Sequence, residues 1–182
     1  EKHPETESIF KKIAEQKNAP IYFADDRFSV ETFSLQTDFI SIEVQKEKVT
    51  FATFELDLPG IYQTRNIVTL LQAVNLLQER GYNITNEQIR TALAQTKKLT
   101  GLWGRWQVIY NQPMVVLEVA HNKNGIEQML AHLQHLQFGQ LHLVMGMVKD
   151  KEVETVLQLL PKAAKYYFTQ AQIPRALPAD DL

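Results

Sequence analysis

The chain has 182 residues, a net charge of −2 and no cysteine. The lack of cysteine excludes disulfides, thiolate metal sites and a thiol nucleophile. The near-neutral balance, with both signs scattered, argues against nucleic acid or a membrane surface as partner, since both need a basic patch.

An apolar share of 45% is enough for a real core, and no apolar run approaches the length of a membrane span. The chain starts at Glu1 without a methionine and stops in Pro178-Ala-Asp-Asp-Leu182. We therefore expect a piece of a longer protein; cytoplasm is the default compartment, and a monomer is expected.

Glu5 to Gln16 reads as a short helix with Ile9, Phe10 and Ile13 on one face. Ile21 to Ala24 reads as a short buried strand. From Phe28 to Phe54 apolar and polar residues alternate, as in Ile40, Ile42, Val44 and in Val49, Phe51, which predicts an antiparallel meander with one wet face. Asp57-Leu-Pro-Gly60 ends it. Asn66 to Arg80 carries Ile67, Leu70, Leu71, Val74 and Leu77 at helical spacing, with Gly81 as the C′ residue. Thr85 with Gln88 is a capping box opening a helix that runs to about Thr96.

After Leu99 the pattern becomes strand, strand, helix, strand, helix, strand. The strands are Trp106–Tyr110, Val115–Ala120, Leu141–Met147 and Tyr166–Thr169, and the helices Gly125–Gln137 and Lys151–Leu160. Such alternation predicts βαβ units, with the last three strands adjacent and parallel in one sheet. The boundary near Lys97–Gly101 divides the chain into residues 1–98 and 99–182.

Polar groups at the C-terminal end of a strand, just before a helix, are where open α/β sheets hold ligands. Glu118 and His121 occupy such a place. One reading makes them a loop pair, with Asn122 or Asn124 capping the next helix and His121 an exposed bystander. The other has Glu118 accept from ribose hydroxyls while the helix N-terminus attracts an anion. Arg105 in its glycine turn is either solvated or a fork for phosphate oxygens. Asn66 is either a helix N-cap or an amide that reads a base edge. Lys149-Asp-Lys151 taken alone reads as a solvated turn, and Pro174-Arg-Ala176 after the last strand is open between a turn and a functional segment. His3, His132, His135 and His142 lack metal-ligand spacing and read as structural.

Several segments in this order carry a resemblance. They are Leu56-Asp-Leu-Pro-Gly-Ile-Tyr-Gln-Thr-Arg-Asn66, Gly104-Arg-Trp-Gln107, Leu117-Glu-Val-Ala-His-Asn122, Gly146 with Asp150-Lys151, and Pro174-Arg-Ala176. Together they resemble the folylpolyglutamate synthase/dihydrofolate synthase branch of the Mur ligase superfamily, across essentially the whole chain.

The resemblance implies an α/β fold. A Rossmann-like C-terminal domain of Mur ligase type would follow the end of a central α/β ATPase domain. It implies an ATP- and Mg²⁺-dependent ligase that joins L-glutamate to folate or dihydropteroate through an acyl phosphate. Asn66, Arg105 and Glu118 would bind the nucleotide, and His121 would act near the incoming glutamate. Glu118 replaces the family's usual aspartate, Trp103 a common proline, and Lys123 a proline that often follows Ala-His-Asn. No Gly-x-x-x-x-Gly-Lys-(Ser/Thr) loop occurs in the chain, so its metal ligands are expected upstream and the 182 residues alone are expected to be inactive. A ligase of the peptidoglycan branch, or a non-catalytic Rossmann-like nucleotide-binding module, are the alternatives.

Overall fold

The structure, a computed structural model, describes residues 2–149 and 153–182. Its internal contacts divide the chain into Glu1–Val115 and Val116–Leu182. The composition shift near Lys97–Gly101 marks the end of a helix, whereas the contacts divide the chain later, within a strand.

The first unit begins with helix α1 (Glu7–Gln16). Its apolar positions Ile9, Phe10 and Ile13 are all exposed. Ile21 to Ala24 does not form a strand. Ala24 to Asp26 is instead a turn of 3₁₀ helix, with Ile21 and Tyr22 exposed. A four-residue apolar run specifies a strand only when a neighbour pairs with it, and none of the described residues does.

Strands β1 (Phe28–Leu35), β2 (Ile40–Lys46) and β3 (Val49–Leu56) form the expected antiparallel meander. Period-2 alternation sends Ile40, Ile42 and Val44 to one face, where they oppose Leu56, Phe54 and Ala52. Ile67, Val68 and Leu71 of helix α2 (Gln63–Glu79) and Ile89 and Leu93 of helix α3 (Asn86–Ala94) complete this core. Each fully buried Ile or Phe contributes about 1.5–3 kcal/mol, and truncating Ile42 or Phe54 to alanine is expected to cost about 2–5 kcal/mol.

Helix α2 begins three residues before the expected Asn66, with Tyr62 as a cap residue whose side chain makes no capping bond. Arg80 ends it, and Gly81 follows with φ 91°, where glycine is favoured. Thr85 and Gln88 make the capping box reciprocally. The second expected helix is broken at Gln95 into α3 and a short α4 (Thr96–Thr100).

Strands β4 (Gln107–Asn111) and β5 (Met114–Leu117) pair with each other. The expected single parallel sheet is therefore corrected. Only β6 (His142–Met145) and β7 (Lys165–Phe168) are adjacent and parallel, while the Val115–Ala120 segment gives its strand residues to the hairpin with β4. The two-residue turn at Gln112-Pro113 supplies β5 with a sequential neighbour, which sequence spacing favours over a distant one.

Helices α5 (Lys123–Leu133) and α6 (Val153–Leu159) flank β6 in sequence and pack on each other. Ile126, Val156 and Leu160 form the core of this second unit, against Leu143, Met145 and Tyr166. Asp150 and Lys151 lie outside the described residues.

Candidate functional site

In the first unit, Asn66 sits in the first turn of α2, exposed, and is not an N-cap. Its Nδ2 donates to Oε1 of the buried Gln63 at 2.8 Å. Gln63 is fixed in turn by its backbone N–H, which donates to the Gly60 carbonyl at 3.0 Å. One amide N–H of Asn66 is thereby spent on holding the side chain in place, and its Oδ1 is left for another donor.

Arg105 lies between two left-handed residues, Gly104 (φ 72°) and Trp106 (φ 48°). Glycine accepts this conformation at no steric cost. For Trp106 it is strained, and the burial of its indole is what holds it there. Gly104 N–H also donates to Oε1 of Gln107 at 3.0 Å, which closes the turn. The half-buried Arg105 guanidinium meets no carboxylate among the described residues. A fixed backbone and an uncommitted planar fork suit an oxyanion.

In the second unit, Glu118 and His121 line one cavity of about 230 Å³. Its walls are apolar, with Ile126, Met129, Met145 and Val156 among them. Glu118 Oε1 accepts from the Val119 N–H at 2.8 Å. His121 Nδ1 lies 2.9 Å from the Val119 carbonyl oxygen. A carbonyl only accepts, so Nδ1 carries the proton, and in the neutral ring Nε2 holds the lone pair.

Asn122 caps α5, its Oδ1 accepting from Gly125 N–H at 2.8 Å, so the capping reading of Asn122 is correct and Asn124 has no such part. A Cβ on Gly125 would stand 3.3 Å from Ala120, and one on Gly146 2.6 Å from the Thr169 carbonyl oxygen. Gly146 therefore permits the close approach of the chain just after β6 to the chain just after β7. Pro174-Arg175-Ala176 is not a free turn. Val148 and Ala176 form an antiparallel bridge, and Lys149 N–H donates to the Arg175 carbonyl at 3.0 Å.

The sequence thus locates Glu118 and His121 at one cavity, and Asn66 and Arg105 each at a braced turn of the first unit. It did not single out Gln63 as the brace of Asn66, nor the methionines of the cavity, whose spacing carries no local signal. Among the described residues no cluster of three His, Cys, Asp or Glu side chains could hold a metal, and no helix is long and apolar enough to cross a membrane.

Residues 104–182 match the glutamate ligase domain of the Mur ligases. The dihydrofolate synthase/folylpolyglutamate synthase of Bacillus subtilis is 26% identical over 186 residues, covering 98% of this chain and 41% of that protein. A probable bifunctional folylpolyglutamate synthase/dihydropteroate synthase of Haloferax volcanii is 32% identical over 126 residues, covering 68% of this chain and 14% of that one. Among solved structures, the folylpolyglutamate synthase of Thermotoga maritima is 26% identical with a TM-score of 0.72, covering 97% of this chain and 41% of that one. The Mycobacterium tuberculosis enzyme complexed with ADP and AMPPCP shares the fold with a TM-score of 0.82 at 23% identity, covering 96% and 38%. The chain thus spans 41% or less of the length of each of these relatives.

Proposed function

We propose that this chain, whose residues 104–182 match the glutamate ligase domain of the Mur ligases, is part of an ATP-dependent ligase that adds L-glutamate to folate or dihydropteroate. The observation that carries the reading is the pair Glu118 and His121 at the cavity beside the capped start of α5. The names of the relatives, all of them folate enzymes, support this branch over the peptidoglycan one.

In this reading a substrate carboxylate takes the γ-phosphoryl group of ATP, giving an acyl phosphate and ADP. The amine of glutamate then displaces phosphate and forms the amide. Such transfers rest on positioning and charge neutralisation. Asn66 offers Oδ1 and its remaining N–H to the base. Arg105 offers its fork to phosphate oxygens. Glu118 accepts from ribose hydroxyls. The Val119 carbonyl holds His121 in the tautomer whose Nε2 accepts a hydrogen bond from the glutamate amine. Mg²⁺ would neutralise phosphate charge when bound, and among the described residues no group of three His, Cys, Asp or Glu side chains is placed to hold it.

The test is incorporation of labelled L-glutamate by the full-length protein with dihydropteroate and with tetrahydrofolate, each with and without ATP. ATP-dependent product from either pterin supports the reading. Glutamylation of neither, with turnover of a peptidoglycan precursor instead, would replace it.

A further inference from the structure

We infer that Asp57 is a positioning residue that ties the Asn66 turn to the Arg105 turn. The inference rests on the assignment of those two residues to the nucleotide.

Asp57 follows β3 directly and precedes the buried loop Leu58-Pro59-Gly60, which leads into α2. Gly60 accepts from Gln63 N–H, and Gln63 holds Asn66. On its other side Asp57 reaches across the fold. Its backbone N–H donates to the Leu93 carbonyl at 3.2 Å, and its Oδ2 accepts from the Lys97 N–H at 2.9 Å, 40 residues on in sequence. Lys97 lies in the first turn of α4, so the carboxylate satisfies an orphan donor there from outside the helix.

From Lys97 a hydrogen-bonded course runs on towards Arg105. The Lys97 carbonyl accepts from Gly101 N–H at 2.9 Å, where φ 67° turns the chain out of α4. Thr100 Oγ1 donates to the Thr96 carbonyl at 2.7 Å and accepts from Leu102 N–H at 3.2 Å. Gly104 then closes on Gln107. One side chain thus joins the two segments that carry Asn66 and Arg105, both within the first unit.

Only one carboxylate oxygen makes a bond. Asp57 Oδ1 is buried and has no partner among the described residues. Asparagine keeps the single acceptor that the tie uses, whereas alanine removes it, so the pair of variants separates the tie from the charge.

The experiment has two arms. In this 182-residue chain, hydrogen exchange is followed at Lys97 and at Leu102 to Gly104. Asp57→Ala is expected to speed exchange there while Asp57→Asn stays near the parent. In the full-length ligase, Asp57→Ala is expected to raise KM for ATP roughly ten-fold, as displaced binding groups do, at a temperature well below its melting point, with Asp57→Asn restoring it. A lowered Tm with unchanged exchange at 102–104 and unchanged KM would overturn the inference and leave Asp57 as a helix cap alone. If instead Asn66→Ala and Arg105→Ala leave KM for ATP unchanged, the nucleotide assignment has failed, and the exchange arm still decides whether Asp57 ties the two turns.

Discussion

Asn66 donates from Nδ2 to Oε1 of Gln63 one turn earlier on the same helix, at 2.8 Å, and Gln63 is 6% exposed where Asn66 is exposed. A buried amide therefore orients a surface amide. Gln63→Leu keeps the bulk but removes the acceptor. In the full-length ligase it is expected to raise KM for ATP about five-fold, the equivalent of one lost net hydrogen bond of about 1 kcal/mol, with kcat nearly unchanged. An unchanged KM would show that Asn66 needs no brace or binds no nucleotide.

Among the described residues Arg105 meets no carboxylate, so its removal leaves no unpaired partner among them. Arg105→Ala is expected to lower both ATP affinity and turnover. Losing a charge-assisted contact costs about 1.5–3 kcal/mol, roughly ten-fold or more in affinity. Glu118→Gln is expected to act on KM more than kcat, since ribose hydroxyls do not react, and Glu118→Asp to be tolerated. Steady-state kinetics with ATP varied at saturating folate and glutamate checks all three.

The 182-residue chain by itself is expected neither to hydrolyse ATP nor to glutamylate folate, because it carries no Gly-x-x-x-x-Gly-Lys-(Ser/Thr) loop. Phosphate release from the purified chain, surviving a second purification and absent from an Arg105→Ala preparation, would refute this.

His132 is 2% exposed on α5, and burial, with His135 adding in the same direction, lowers its pKa to about 4 from the usual 6.5. Between those values the unfolded state binds more protons than the folded one. Stability is then fully present above about pH 6.5 and is lost as the pH falls through that range to about 4. The expected loss is about 1–3 kcal/mol, read as faster exchange of the α5 and β6 amides at pH 4.5 than at pH 7 after correction for intrinsic rates. His132→Gln is expected to flatten that difference.

The Glu47-Lys48 turn between β2 and β3 places both residues in the left-handed region, at φ 54° and 66°. This is the two-residue hairpin geometry that favours Asn-Gly. Lys48→Gly is expected to stabilise the first unit by about 1 kcal/mol, seen as a higher melting temperature. A fall in melting temperature would mean that the Lys48 side chain makes a contact worth more than the strain.

Local periodicity was enough to read several elements. The alternation of Ile40, Ile42 and Val44, the helical stripe of Ile67, Leu71 and Val74, and the Thr85–Gln88 and Asn122 caps depend on residues a few positions apart. The placing of Glu118 and His121 between a strand end and a capped helix was legible for the same reason, since both are local events.

Pairing across the chain was not legible. Ile21 to Ala24 and Val115 to Ala120 look alike as apolar runs, yet one forms no strand and the other turns back on β4, because a run of apolar side chains does not encode its neighbour. The start of α2 at Gln63 follows from the buried Leu58-Pro59-Gly60 loop rather than from any capping side chain. The contact of Asp57 with Lys97, the burial of His132 and the methionine-lined cavity likewise exist only once distant segments pack. Sequence determines which faces are apolar and where helices begin to be capped. Packing decides which backbone and side-chain partners satisfy the polar groups that folding removes from water.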